Sequence, residues 1–94
     1  MTTEVVDVPD ARRYEIRRDG TALGHAAYQK TDELIVFTHT EVDPAFEGQG
    51  VGSVLAREAL DDVRAKGEYD VVALCPFIAA WIERHPAYQD LLAA

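Results

Sequence analysis

The chain has one cysteine, one tryptophan and no long apolar run, and its 9 Lys and Arg are outnumbered by 17 Asp and Glu. Each shortage excludes something. A lone Cys75 can close no internal disulfide, and one thiol is no basis for a zinc site. No stretch reaches the roughly twenty apolar residues a membrane helix needs. Met1-Thr2-Thr3 opens without a signal-peptide pattern, so the expected setting is the cytoplasm. A net charge of −8 argues against nucleic acid and anionic membrane as partners, because both reward grouped Lys and Arg. Arg12, Arg13, Arg17 and Arg18 do gather, but Asp10, Glu15 and Asp19 are interleaved with them. That group is expected to form a solvated hairpin face. Repeats and low-complexity linkers are also missing. What remains, 94 residues with 48% apolar content, fits one domain over 1–94 with one core and two layers.

The periodicities predict an α+β chain. Val5, Val6 and Val8 suggest a short strand ending at Pro9. Arg13 to Arg18 alternates, with Tyr14 and Ile16 on one face and Glu15 and Arg17 on the other. Asp19-Gly20 is a two-residue hairpin signal, since both positions need positive φ. A further strand runs over 22–29, and the β-branched run over 34–42 is the clearest of all. The strands over 13–18, 22–29 and 34–42 read as an antiparallel meander. Asp43-Pro44 stops the last of them. From Val51 to Lys66 the apolar residues Val51, Leu55, Ala59 and Val63 recur every four positions, and Gly67 supplies the stop. Val71 to Cys75 is a short buried strand which, after a helical crossover, should lie parallel to 34–42. Pro76 opens a second helix that Pro86 ends or kinks, and 87–94 could add one more helical turn.

Between strand and helix stands Glu47-Gly48-Gln49-Gly50-Val51-Gly52. No Ser, Thr, Asp or Asn directly precedes Gly48 to cap the helix, so the first helical amides are left open. Such amides are a ready anion site, and glycine lets a bulky phosphate come close. Ser53 adds a hydroxyl within reach of the same anion. The meander before it rules out a dinucleotide fingerprint, and no Lys-Ser/Thr pair follows to make a Walker loop. A tight bend for helix packing is the bland alternative.

Val42-Asp43-Pro44-Ala45-Phe46-Glu47-Gly48-Gln49-Gly50-Val51-Gly52 resembles the acetyl-coenzyme A signature of the GNAT acetyltransferase superfamily. Cys75-Pro76-Phe77, Trp81-Ile82 and His85-Pro86-Ala87-Tyr88 resemble the small single-domain group whose fifth strand ends in Cys-Pro-Phe. The likeness runs from about Arg13 to Leu91. It implies a GNAT-like mixed sheet: an antiparallel meander, a helix crossover to a parallel strand, and a C-terminal helix. It also implies acetyl-coenzyme A as acyl donor, with Val42, Glu47, Gly48, Gln49, Gly50, Val51, Gly52 and Ser53 as its binding residues. Backbone amides of the turn would take the pyrophosphate, and the strand ending at Val42 would pair with the pantetheine arm. An amine acceptor, small molecule or protein, completes the implied reaction. The two acceptor helices of larger relatives do not fit in this chain. Glu47 departs from the usual Gln or Arg, and its side chain is expected to point to solvent.

Cys75 falls at the cap of the second helix, where the dipole favours a thiolate. The resemblance places it near the thioester; otherwise it is a small buried residue at a strand end. His39, placed by alternation with Ile35, Phe37 and Glu41, is a general-base candidate or the partner that ionises Cys75. It could equally be a packed strand histidine. His25, His85 and Tyr88 are weaker candidates, and Phe77, Trp81 and Ile82 are assigned to the core. Two functions therefore stand: an acetyltransferase acting on an amine, and a non-catalytic coenzyme A binding module.

Overall fold

The structure, a computed structural model, describes residues 3–93. Five strands form one sheet in sequential order: β1 (Thr3–Val8), β2 (Arg13–Arg18), β3 (Thr21–Lys30), β4 (Leu34–Val42) and β5 (Asp70–Ala73). The first four are antiparallel, and β5 lies parallel to β4 after the crossover helix α1 (Val51–Lys66). A second helix, α2 (Pro76–Glu83), follows β5, and a 3-10 turn over Pro86–Leu91 closes the chain. The weak opening strand thus makes the meander four strands wide. Asp19 and Gly20 turn the β2–β3 hairpin with φ of 51° and 84°.

Both helices pack on one face of the sheet. Tyr14, Ile16, Ala26, Tyr28, Ile35, Phe37 and Val71 point to that face and share one core with Leu55, Ala59, Leu60, Ile78 and Trp81. α1 buries its predicted stripe, widened by Ala56 and Leu60. Gly67 ends it at a φ of 65°, its amide bonding back to Val63. Polar groups ring this core in fixed pairs. Tyr14 donates to Asp62 and Tyr28 donates to Asp7, while Lys66 bridges both carboxylates at 3.0 and 2.9 Å. No described helix is long and apolar enough to cross a membrane.

Among the described residues, the other face carries no helix. On it Glu15 is buried and holds Arg13 and Arg17, each at 2.7 Å. The solvated hairpin face expected for these arginines is therefore corrected to an ion triad. Residues i, i+2 and i+4 of a strand share a face, which brings the two guanidiniums onto one carboxylate.

Candidate active site

β4 and β5 part company at Phe37. β5 pairs with β4 only from Leu34↔Asp70 to Phe37↔Ala73. Leu74 and Cys75 then both donate to the Phe37 carbonyl, and Pro76 turns the chain into α2. From Thr38 onward β4 is paired on its β3 side alone. Asp43 donates to the Leu23 carbonyl at 2.7 Å, which fixes the phase of the antiparallel ladder. Alternation from that bond leaves the amides and carbonyls of Thr40 and Val42 directed at the vacated edge. A cleft of about 450 Å³ opens there, lined by Thr40, Val42, Gly48, Gly50, Phe77 and Arg84 among others.

One wall is the glycine turn. Asp43 accepts from the Ala45 amide, starting a 3-10 turn over Pro44–Phe46. Gly48 and Gly50 follow at φ of 81° and 76°, and a Cβ on either would meet nothing within 4 Å. Backbone conformation, not crowding, demands glycine at these two positions. Gly50 caps α1 with no side-chain hydrogen bond, so the amides of Val51, Gly52 and Ser53 are unclaimed by any cap. Gly52 differs: a Cβ there would stand 3.0 Å from the Phe77 ring. Ser53 accepts from the Trp81 indole at 3.0 Å and keeps its own proton to donate. Glu47 is exposed, as expected.

Phe77 is a correction. Assigned to the core, it is 39% exposed and lies against the glycine turn. Its position gave the signal: Ile78, Trp81 and Ile82 form the i, i+3, i+4 stripe, and Phe77 stands outside it. Trp81 and Ile82 are core, as assigned.

Cys75 caps α2 and is buried, with its Sγ 3.3 Å from the Thr40 Oγ1. His39 is not on the face that alternation assigned to it. Ala27 pairs with His39 while Tyr28 pairs with Phe37, so Thr38 is an extra residue, a β-bulge. After it, Thr40 and Val42 take over the helix side that Ile35 and Phe37 occupy before it. His39 and Glu41 are turned to the open face. His39 and Cys75 thus lie on opposite sides of the sheet and are not partners.

The open face gathers what strand pairing aligns. Glu15, His25 and Glu41 stand in one cross-strand row, and Arg13, Ala27 and His39 stand in the next. Glu41 holds His39 at 3.2 Å and lies 3.9 Å from His25. Hydrogen bonds from Arg17 and Arg13 keep the Glu15 carboxyl below its ordinary range, and the His39 bond does the same for Glu41. Burial, helped by Arg13, lowers His25. A second cleft of about 600 Å³ includes Arg13, Glu15, His25 and Glu41, and shares Thr40, Val42 and Glu47 with the first. The two clefts therefore meet along the free edge of β4. His85 and Tyr88 sit elsewhere: His85 stacks on Trp81 at 3.8 Å, and Tyr88 donates to Asp61.

The family model described as GCN5-related N-acetyl-transferase matches residues 13–91. The chain belongs to the GCN5-related N-acetyltransferase family. A GCN5-like protein from Staphylococcus aureus, solved in solution by NMR, is similar at 26% identity with a TM-score of 0.70. That match covers 97% of this chain and 88% of the other. The ribosomal-protein-alanine N-acetyltransferase from Brucella melitensis biovar Abortus 2308 shares the fold at 18% identity, with a TM-score of 0.58. Here 87% of this chain covers 61% of that enzyme. No curated protein matches the sequence. Family membership supports acyl transfer as the general chemistry, on a mixed sheet of the kind the resemblance implied.

Proposed function

We propose that this one domain transfers an acetyl group from acetyl-coenzyme A to an amine. The observation that carries the reading is the uncapped, glycine-flanked start of α1, which opens on a cleft walled by the unpaired edge of β4. The residues fit the donor. Three open amides and the Ser53 hydroxyl suit a diphosphate, and Arg84 lines the same cleft as a cation for phosphate. Thr40 and Val42 offer a pantetheine arm the ladder positions that β5 gave up at Ala73. Glu47 is the one charge of the wrong sign, and it stands in solvent.

The acceptor amine approaches from the open face, where the second cleft meets the first. Thr40 lies at that junction, with the buried Cys75 thiol 3.3 Å from its hydroxyl, which brings the acyl carbonyl against Thr40. His39, carried with Glu41 on the same face as the acceptor, belongs to the route by which the amine's proton leaves. Direct attack is favoured over passage through Cys75, because no described histidine contacts the thiol to ionise it; its polar contact is Thr40. An acetylated Cys75 detected by mass spectrometry after acetyl-coenzyme A treatment, and absent from Cys75→Ala, would reverse that preference.

Calorimetry with acetyl-coenzyme A tests the donor site. Gly50→Asp puts a carboxylate at the helix start and a side chain at a φ of 76°. Together these should weaken binding about 100-fold. An unchanged dissociation constant would defeat the reading. Release of coenzyme A thiol across a panel of amines then separates an enzyme from a binding module, since the module binds without turnover.

A further inference from the structure

We propose that the acceptor's proton leaves through three side chains of the open sheet face: His25 takes it, Glu41 carries it, and His39 releases it to solvent. The inference rests on the acetyl-transfer reading and adds to it the identity of the base and the route of the proton. Its grounds are the arrangement of the three groups. The two oxygens of Glu41 face two imidazoles, Oε1 lying 3.2 Å from Nε2 of His39 and Oε2 3.9 Å from Nε2 of His25. The rings stand edge to face, 6.4 Å apart. Of the two histidines only His25 lines the cleft that meets the donor site. His25 is the least exposed of the three side chains at 23%, while Glu41 and His39 are 64% and 59% exposed.

The neighbours suit that order. Glu15, the other carboxylate beside His25, is committed to Arg13 and Arg17 and is a poor base. Burial and then Arg13 lower the affinity of His25 for a proton, while Glu41 and Glu15 oppose them and His39 adds slightly to the lowering. A neutral imidazole at the cleft is the outcome, and a neutral imidazole can accept a proton.

The balance of the step is simple. An ammonium N–H of the acceptor breaks and its proton goes to Nδ1 of His25, while the Nε2 proton passes to Glu41. The carboxyl, largely in solvent, turns between its two partners and hands the proton to His39, which gives it to water. The freed nitrogen lone pair forms the amide bond as the C–S bond breaks. The second nitrogen proton ends on the departing thiolate.

The test uses the full chain, an amine found active in the panel, and the variants His25→Gln, Glu41→Gln and His39→Gln. For each, kcat/KM is followed against pH and acetyl-coenzyme A affinity by calorimetry. His25→Gln should lose about 100-fold in kcat/KM together with the acidic limb of the profile. Its acetyl-coenzyme A affinity should stay within about twofold, because it does not touch the donor cleft. Glu41→Gln should lose about tenfold and move the acidic limb to lower pH, since a stabilising anion is gone. His39→Gln should lose less, and added imidazole should restore it as an external proton carrier. His25→Gln with an intact acidic limb overturns the relay, as does a His39→Gln loss equal to that of His25→Gln. A wild type that binds no acetyl-coenzyme A, or acetylates no amine, defeats the parent reading itself.

Discussion

On the helix side of the sheet, Tyr14 and Asp62, Tyr28 and Asp7, and Lys66 between the carboxylates are locked pairs around an apolar core. On the open side, Glu41 faces two histidines that are partly in solvent, and only Glu15 is held fast. Burial and the Asp62 hydrogen bond push the Tyr14 hydroxyl so far up that it stays protonated. Burial also raises Asp62, but its bonds from Lys66 and Tyr14 more than offset this and hold it low. Neither Tyr14 nor Asp62 is placed to exchange protons near neutral pH. The histidines opposite stand partly in solvent beside a carboxylate. One layer of backbone therefore separates ionisable groups used for rigidity from ionisable groups available for chemistry, and β4 contributes His39 and Glu41 to the second set alone.

The bulge at Thr38 makes that division, because it absorbs one residue of β4. Deleting Thr38 removes the extra residue and leaves Phe37 turned inward and His39 outward in a regular strand, so both faces are kept. The alternative, His39 and Glu41 turned inward, would bury a carboxylate and an imidazole without partners at a cost of several kcal/mol, a large part of the roughly 5–15 kcal/mol that holds a domain together. The deletion variant should therefore keep its cooperative urea transition by circular dichroism. Loss of that transition would mean that Thr38 is not the extra residue.

Glu15→Gln probes the one rigid element of the open face, at a smaller cost of about 1–2 kcal/mol at pH 7. Because the Arg17 and Arg13 bonds lower its folded pKa, the contribution of Glu15 is fully present above the ordinary carboxylate value, about 4.3. It fades as pH falls through the lower folded value. Denaturation midpoints of parent and variant should therefore stay separated from pH 7 to about 5 and converge on further acidification. A separation that widens in acid would contradict the triad.

Much of this division is absent from the residue pattern, for physical reasons that differ by element. β4 and α1 could be bounded from the chain alone, because Asp43-Pro44 must stop a strand and Gly67 after Lys66 must stop a helix. The open amides after Gly50 were legible for the same local reason. The face of His39 was not. Thr38-His39-Thr40-Glu41 is polar throughout, so no apolar alternation fixes which residues turn inward, and a single inserted residue leaves no mark. The Glu15 triad did leave one, the spacing Arg13-x-Glu15-x-Arg17, but counting charges hides what a strand's two-residue period aligns. Phe77 was missed because α2 is apolar on nearly every side, and composition alone does not separate its core stripe from its cleft-facing residue.

Glu47 gives the smallest expected effect and joins the two sides, because it lines both clefts. It is exposed and lies three residues before the cap of α1, so its charge opposes a diphosphate through solvent. Glu47→Gln should tighten acetyl-coenzyme A about two- to threefold at low ionic strength, the scale of an exposed charge pair. Raising salt toward 1 M, where the screening length falls to about 3 Å, should erase the gain. The same carboxylate faces the route of a cationic amine, so the KM for the acceptor should rise in the variant while donor binding improves. Opposite movement of the two constants is what a shared rim between the clefts requires. Parallel movement would place both substrates on one side of the sheet.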